Sequence, residues 1–145
     1  MIIVAYPEPQ FRIKKENGST YIFDSIRKSW LLVTEEEWVR QNMVHYLVES
    51  LKYPSTAIAI EKEIYLNGMK KRFDILIYNK EIKPWLMIEC KGPQIPLSED
   101  VLQQVLRYNI TVPVDYIIIT NGHTTLGWKK EGQGLHLLEE FPTWN

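Results

Sequence analysis

The sequence predicts an α/β (α+β) fold in which a central mixed β-sheet is flanked by α-helices. Residues 72–91 contain two apolar runs, rich in β-branched and aromatic residues, around a short break at 80–83, which is the pattern of a β-hairpin. A helical pattern follows, and after it comes the apolar run of residues 114–120. Because a helix between two strands usually forms a crossover, we expect this last run to lie parallel to the strand that ends at Lys91.

The chain of 145 residues has the size of a single domain, residues 1–145. We divide it into an N-terminal extended arm with a hairpin (1–30), a core (31–130) and a C-terminal edge (131–145). Hydrophobic residues make up 45% and charged residues 24%, as in ordinary globular proteins. The net charge of −1 argues against a protein that grips nucleic acid by its overall charge, so binding a phosphate backbone would need a local patch, a partner or a metal.

The single cysteine, Cys90, excludes an internal disulfide and favours a reducing compartment. Residues 1–7 lack the basic region and long apolar segment of a signal peptide. No apolar run reaches the roughly 18 residues that a membrane span needs. We therefore expect a cytoplasmic protein that does not enter a membrane.

Short strands are expected near the N-terminus. Residues 11–14 alternate as in a strand, Asn17-Gly18 is a turn signal, and residues 21–23 predict the second strand of a small hairpin. Residues 30–33 are expected to pack at the entry to the first helix.

That helix is predicted to begin at Thr34, which forms a capping-box pattern with Glu37, and to end at Tyr53-Pro54. Helical spacing places Glu37 on the core-facing side of the first turn. Two interpretations of Glu37 stay open, because it can simply close the capping box or contribute to a site. Arg40 and Gln41, one turn later, can reach the same end of the sheet.

The remaining elements follow from apolar runs and turn signals. The continuous apolar start of residues 56–66 predicts a strand buried on both faces, and Asn67-Gly68 turns it into the hairpin. Ser98 is the expected N-cap of a second helix. The buried stripe of that helix is predicted to consist of Val101, Leu102, Val105 and Leu106. Further strands are predicted at 123–128 and, as an edge strand, at 135–138.

Three charged residues interrupt the apolar runs of the hairpin, namely Asp74, Glu89 and Lys91. If Asn79 faces Pro84 across the turn, Asp74 lies opposite Glu89, and the alternation of side chains puts Lys91 on the same face. Like charges that face each other destabilise a sheet. Two carboxylates inside an apolar hairpin therefore require a shared cation or a shared proton.

A hard divalent cation is the simplest solution, with Mg²⁺ expected and Mn²⁺ as the alternative. Such an ion acidifies a bound water and neutralises charge on a phosphoryl group, and a neighbouring Lys can orient the water. The pair of acids with Lys91 is thus sufficient for phosphodiester hydrolysis. A surface ion pair with Arg72 or Lys91 is the simpler alternative, but the apolar residues 85–88 argue against a solvated face.

The ordered motifs resemble the PD-(D/E)XK nuclease superfamily, which has a helical Glu, a strand Asp, Glu-x-Lys on the next strand and then a helix with Gln. More narrowly, they look like the N-terminal nuclease domain of type I restriction enzyme R subunits. The matching motifs are at residues 36–41, 71–75, 88–93, 104–109 and 120–122. Phe73 replaces the Pro of the superfamily name, a common variation. R subunits continue into a helicase motor, so we expect no translocation from these residues.

The resemblance implies a restriction-endonuclease-like core and a metal-dependent endonuclease acting on nucleic acid, with DNA as the expected substrate. Asp74 and Glu89 would hold the metal with the Cys90 carbonyl, Glu37 would complete the metal shell, and Lys91 would position the water.

Residues Gln104 and Tyr108 would match the family's helix motif that helps to position the nucleic acid backbone. The basic cluster Lys70-Lys71-Arg72 either touches phosphates near the site or forms a solvated turn, and we carry Arg72 forward as a substrate-binding candidate. A protein partner that supplies specificity or a motor is also expected. The oligomeric state stays open, with a dimer as one option.

Two other functions compete with the nuclease. The near-neutral charge also suits a catalytically silent module that binds nucleic acid or a protein partner. A glycosidase with paired carboxylates fits less well, because it leaves Lys91 unexplained. Among the remaining reactive side chains, His123 is more easily explained as part of a turn, and Cys90 as a small buried residue on the opposite face from Glu89.

Overall fold

A computed structural model describes the backbone of residues 1–145 and all side chains except that of Leu66. It contains a three-stranded antiparallel sheet, a six-stranded mixed sheet and two α-helices, which confirms the predicted fold class. In the part of the chain described, neither helix combines the length and the apolar character required to cross a membrane.

The N-terminal sheet consists of β1 (Ile13–Glu16), β2 (Ser19–Asp24) and β3 (Ser29–Leu32) in that spatial order. Asn17 and Gly18 both have positive φ, so the predicted turn is confirmed. The third strand was not predicted. Trp30 pairs with Phe23, so this segment forms part of a sheet and does more than pack at the entry to a helix.

Helix α1 (Glu35–Glu49) begins as predicted, because the Thr34 Oγ1 accepts a hydrogen bond of 3.0 Å from the Glu37 N–H. It ends earlier than predicted, at Glu49, and Lys52 then adopts a left-handed φ of 62°. Its buried apolar side chains include Val39 and Met43, which belong to the main core.

The six-stranded sheet has the order β4-β5-β6-β7-β8-β9. Only β6 and β7 pair in parallel, as predicted for the crossover, and the other neighbouring strands are antiparallel. The strands are β4 (Ile58–Leu66), β5 (Met69–Tyr78), β6 (Pro84–Cys90), β7 (Tyr116–Thr120), β8 (Thr125–Glu131) and β9 (Gly134–Leu137). The expectation that β4 is buried on both faces is wrong, since Ile58 and Ile60 are buried but Ala59 between them is partly exposed.

Helix α2 (Glu99–Asn109) connects β6 to β7, and the Ser98 Oγ accepts a hydrogen bond from the Val101 N–H, which confirms the N-cap. Its buried stripe is narrower than predicted, because only Val105 of the four expected residues is fully buried. The two faces of the sheet form separate cores. Ile88 belongs to the core against α1, and Met87 to a smaller core that includes Leu106 of α2.

The hairpin of β5 and β6 has the predicted loop but not the predicted start of its register. Tyr78, rather than Asn79, pairs with Pro84, and a bulge follows between Ile77 and Tyr78. Beyond the bulge, Ile75 pairs with Ile88, which is the alignment that places Asp74 next in line with Glu89. The assumed turn pairing was therefore wrong by one residue, and the bulge restores the expected alignment at the site.

Candidate active site

The backbone pairing of β5 and β6 stops one residue before Asp74 and Glu89, and a side chain continues it. The Cys90 N–H donates a hydrogen bond of 2.8 Å to the Asp74 Oδ2 instead of to a backbone carbonyl. On its other side, β6 continues along β7, since the Lys91 N–H donates to the Thr120 carbonyl. The strands therefore open at the point where Asp74 enters, and its carboxylate is fixed to the backbone of β6.

Glu89 and Lys91 lie under α2. They border a cavity of about 310 Å³ together with Gln104 and Tyr108, which lie one turn apart on the helix. The Lys91 Nζ lies 3.6 Å from the Glu89 Oε1, and both side chains are about a quarter to a third exposed, at 32% and 26%. The structure thus brings four of the predicted site residues to one cavity.

Glu89 has an unusual protonation equilibrium. Burial raises the pKa of its carboxyl group to about 7, and the negative charge of Asp74 adds to this effect. Lys91 acts in the opposite direction but does not outweigh them, while Glu36 raises the pKa further. The predicted repulsion between Asp74 and Glu89 therefore exists in the fold, where it adds to the effect of burial on the pKa of Glu89.

The second oxygen of Asp74 contacts α1. The Arg40 Nη2 donates to the Asp74 Oδ1 at 3.1 Å, and the Arg40 Nη1 donates to the Glu37 Oε1 at 2.7 Å. Burial alone would lower the pKa of the Arg40 guanidinium, but Glu37 and Asp74 outweigh it and hold that pKa above its ordinary value. Arg40 reaches this end of the sheet as predicted, and it forms a charged bridge between the helix and Asp74.

Glu37 is buried, with 6% of its surface exposed, so its predicted core-facing position is confirmed. Its carboxylate accepts hydrogen bonds from Arg27, Arg40 and Gln41 at 2.7 to 3.2 Å. Thr34 caps the helix through the Glu37 backbone, while the Glu37 side chain is used by these three partners. A role for Glu37 in a metal shell stays a prediction, and in this arrangement Arg40 lies between it and Asp74.

Several members of this cluster were missed from the sequence. Glu61 follows Ile60 in β4 and adopts a φ of 51°, and the pairing of β4 with β5 skips it, passing from Ile60–Ile75 to Lys62–Phe73. Its carboxylate is close to Arg27 and Arg40, at 3.3 and 3.5 Å. The charged residues 61–63 within an otherwise apolar strand were the available signal. Arg27 carried no such signal, because it lies in a turn whose position depends on the N-terminal sheet.

Glu36 was also missed. It lies on the first turn of α1, its Oε1 accepts a hydrogen bond of 2.9 Å from the Arg40 Nη2, and its charge raises the pKa of Glu89. Half of its side chain is exposed, at 49%, so it faces solvent at the edge of the site. Glu36 is thus an α1 carboxylate whose charge acts on Glu89.

Arg72 lies apart from the cavity under α2. Its guanidinium pairs with Glu61 at 2.6 Å, and 59% of its side chain is exposed. Its neighbour Lys71 is buried and donates to the Tyr108 carbonyl at 2.5 Å, and Lys70 pairs with Glu63. The three basic side chains therefore have three separate partners and do not form one patch.

The other reactive side chains have structural surroundings. Cys90 is buried, and burial raises the pKa of its thiol well above the ordinary value, so the expected small buried residue is confirmed. His123 lies in the turn after β7, where its backbone N–H donates to the Asn121 Oδ1.

The donor set suits a hard cation only in part. Among the residues whose side chains are described, no three His, Cys, Asp or Glu side chains are arranged to hold a metal ion. The negative charge of Asp74 reaches Glu89, and Lys91 lowers the pKa of Glu89 without cancelling the effects of burial and of Asp74. The chemistry of these two oxygen donors fits a cation such as Mg²⁺.

Comparison with known protein families identifies the family of the chain. The family described as "Type I restriction enzyme R protein N terminus (HSDR_N)" matches residues 35–142. The match includes all the predicted site residues and leaves β1 to β3 outside. No curated protein matched the chain. Because the match covers well over half of the sequence, the chain belongs to the family of type I restriction enzyme R protein N-terminal domains.

Proposed function

We propose that this chain is a metal-dependent endonuclease-like domain that hydrolyses phosphodiester bonds in nucleic acid, with DNA as the substrate. One observation carries the proposal. Glu89 and Lys91 border one open cavity, and the negative charge of Asp74 acts on Glu89, whose pKa is raised to about 7 by burial and by Asp74. Membership of a restriction enzyme family supports a role in restriction and modification, with DNA and the other subunits of such a system as partners.

The residues that would hold Mg²⁺ or Mn²⁺ are Asp74, Glu89 and the carbonyl of Cys90. When bound, the ion would neutralise charge on the phosphoryl group and acidify a water. On the α1 side, Glu37 is the ligand that the family resemblance implies. Glu36 is an α1 carboxylate whose charge reaches Glu89.

The chain's own groups supply the remaining requirements. The Lys91 ammonium borders the cavity and would orient the attacking water and attract the anionic phosphate. Gln104 and Tyr108 border the same cavity from α2, where the amide and the phenol would position the nucleic acid backbone. Tyr108 is 55% exposed, so its hydroxyl is accessible to a large substrate.

The proposal is tested by incubating the purified chain with supercoiled plasmid, single-stranded DNA and RNA, in Mg²⁺, Mn²⁺ or EDTA. We expect cleavage that requires the metal and falls on the order of a hundredfold or more in Asp74→Ala and Lys91→Ala. Lys83→Ala is the matched control, because this lysine is 72% exposed in the hairpin loop. Equal cleavage by wild type and both site variants would show that the activity does not come from this site.

A catalytically silent binding module is the second candidate, and one observation favours it. Both oxygens of Asp74 already accept hydrogen bonds, from Arg40 and from the Cys90 N–H. This candidate predicts no cleavage with any metal in the experiment above. It also predicts that the chain binds DNA in EDTA, which fluorescence anisotropy measures. Cleavage that depends on Asp74 would exclude it.

A further inference from the structure

The outer side of the N-terminal sheet carries an unusual set of side chains, which we call the aromatic face: Arg12, Lys14, Tyr21, Phe23 and Trp30. The strand register aligns Lys14 with Tyr21 and Phe23 with Trp30, so the side chains of these pairs point to the same side of the sheet. Arg12 joins them because its guanidinium lies 4.6 Å from the centre of the Phe23 ring.

The opposite side of this sheet packs against the rest of the domain. Ile22 is fully buried, and the Asp24 carboxylate accepts a hydrogen bond from Gln41 of α1 at 3.1 Å. The aromatic face is therefore the side of the sheet opposite to Ile22 and Asp24, and its three rings are only partly buried. Large rings left partly in water on a small sheet do little for the core of the domain.

Several side chains of the aromatic face contact one another. Phe23 and Trp30 meet edge to face at 5.3 Å, and Lys14 lies 4.6 Å from the Trp30 ring. Among the described residues, Arg12 forms no salt bridge, and Lys14 pairs only with the exposed Glu16. The face thus presents aromatic surface and positive charge that the surrounding acidic residues leave largely free.

We propose that the aromatic face binds a segment of single-stranded nucleic acid. Unpaired bases stack on exposed aromatic rings, and nearby cations contact the phosphates, whereas a duplex keeps the faces of its bases covered. Arg12 and Lys14, which now lie over the rings, would contact the backbone. At one end, Arg12 and Phe23 border a crevice of about 300 Å³ against α1, which offers room for a base beside the sheet.

This surface lies outside the family match, which begins at residue 35, so the family does not assign it. The inference goes beyond the proposed function and does not require that the chain cuts. The sheet is nevertheless connected to the candidate site, because Gln41 donates to both Asp24 and Glu37. A strand held on the aromatic face would thus be held by the same domain that carries Asp74.

The test uses the intact chain in EDTA with fluorescein-labelled oligothymidylate and oligouridylate of about 12 nucleotides, read by anisotropy. Trp30→Leu keeps an apolar side chain but loses the ring, and we expect it to weaken binding about tenfold. Trp30→Phe keeps a ring and should bind within about threefold of wild type. Tyr65→Leu is the matched control, because Tyr65 is a 73% exposed aromatic residue on β4.

The cations are tested by salt dependence. Arg12→Gln and Lys14→Gln should each lower the slope of log affinity against log salt by about 0.7, the value for one phosphate contact of a single strand. Lys83→Gln should leave the slope unchanged. Circular dichroism of each variant confirms that the sheet is folded before its affinity is compared.

Three outcomes would overturn the inference: equal binding by wild type and Trp30→Leu, a preference for duplex DNA that depends on Trp30, or binding lost equally in Trp30→Leu and Trp30→Phe. A protein partner on this face would give the first of these. The binding result is independent of the cleavage experiment. If Asp74→Ala abolishes cutting while Trp30→Leu binds like wild type, only the proposal for the aromatic face is overturned.

Discussion

Asp74 lies between two groups of carboxylates that the fold treats in opposite ways. On the α1 side, Asp24, Glu37 and Glu61 are matched by the guanidiniums of Arg27, Arg40 and Arg72, at distances from 2.5 to 3.5 Å. On the α2 side, the one salt bridge of Glu89 among the described side chains is with the Lys91 ammonium, at 3.6 Å. Acidic residues are present on both sides, so the two sides differ in how far basic side chains neutralise the carboxylate charges.

The pKa directions show what this difference does. Burial would raise the pKa of Asp24, but hydrogen bonds and charge from Arg27 lower it, and Arg72 and Arg40 likewise lower the pKa of Glu61 against the effect of burial. The pKa of Glu89 is raised. The carboxylates paired with arginines, namely Asp24, Glu37 and Glu61, thus form with them a compensated cluster that links the two sheets to α1. The charge of Glu89 is opposed only in part, by Lys91.

The largest effect is expected from removing Arg40, which compensates both Glu37 and Asp74. Arg40→Met should destabilise the domain by about 3–5 kcal/mol, because it leaves buried carboxylates without their partner. Urea unfolding followed by circular dichroism measures this. Lys70→Met is the matched control, since the Lys70–Glu63 pair is exposed and should contribute less than about 1 kcal/mol. Similar losses in the two variants would show that the Arg40 cluster is not structural.

Glu36 and Glu37, two of the three acidic residues in the first turn of α1, should differ in their effects on stability and on the pKa of Glu89. Glu37→Gln removes the charge that faces Arg27 and Arg40 and should cost about 1–3 kcal/mol of stability. Glu36→Gln should change stability little, because its side chain is half exposed, yet it should lower the pKa of Glu89, which Glu36 raises. Urea unfolding and an NMR titration of the Glu89 carboxyl carbon measure the two effects. A stability loss in Glu36→Gln as large as in Glu37→Gln would contradict the division.

Glu89 should make the stability of the metal-free protein depend on pH. Its pKa in the fold is about 7 and its ordinary value is 4.5, so the folded state holds the proton more tightly. This contribution is complete below the ordinary pKa and is lost as the pH rises towards 7. Glu89→Gln removes the cost of ionising this buried carboxyl group in the folded state. The variant should be more stable than wild type by about 1–3 kcal/mol at about pH 8, with little difference at about pH 5.

Thermal melts in EDTA at both pH values test this prediction, with Glu81→Gln as the control because its side chain is 76% exposed in the hairpin loop. The prediction fails if Glu89→Gln is shifted equally at both pH values. Mg²⁺ should raise the melting temperature of wild type at the higher pH, where Glu89 is charged, and should have less effect on Glu89→Gln.

The sequence was most informative where a local pattern decides the structure. Apolar periodicity, the cap at Thr34 and the Ser98 cap located both helices and the strands of the central sheet. The pairing of Asp74 with Glu89 survived a wrong assumption about the turn, because the bulge at Tyr78 shifts only the first pair. Register close to a turn depends on such irregularities, which leave no clear mark in the residues themselves.

The compensated cluster could not be predicted in the same way. Arg27 reaches Glu37 and Glu61 only because β3, which was missed, returns the chain to α1. Glu61 joins it through a left-handed backbone conformation in a residue that does not favour one. Contacts among long side chains from distant elements depend on the assembled fold, whereas the Glu-x-Lys pattern is contained in three neighbouring residues.

Arg72 gives the smallest effect and the finest test of the comparison, because it was predicted to bind substrate and the fold pairs it with Glu61. Arg72→Gln should change stability by less than about 1 kcal/mol, since its side chain is 59% exposed and Glu61 keeps Arg27 and Arg40. If Arg72 contacts a phosphate, the slope of duplex DNA affinity against salt should fall by about 0.9 in the variant, but not in Lys83→Gln. An unchanged slope would show that Arg72 pairs with Glu61 and does not contact the phosphates. Gln104 and Tyr108, on the side of Glu89, would then remain the candidates for binding the nucleic acid backbone.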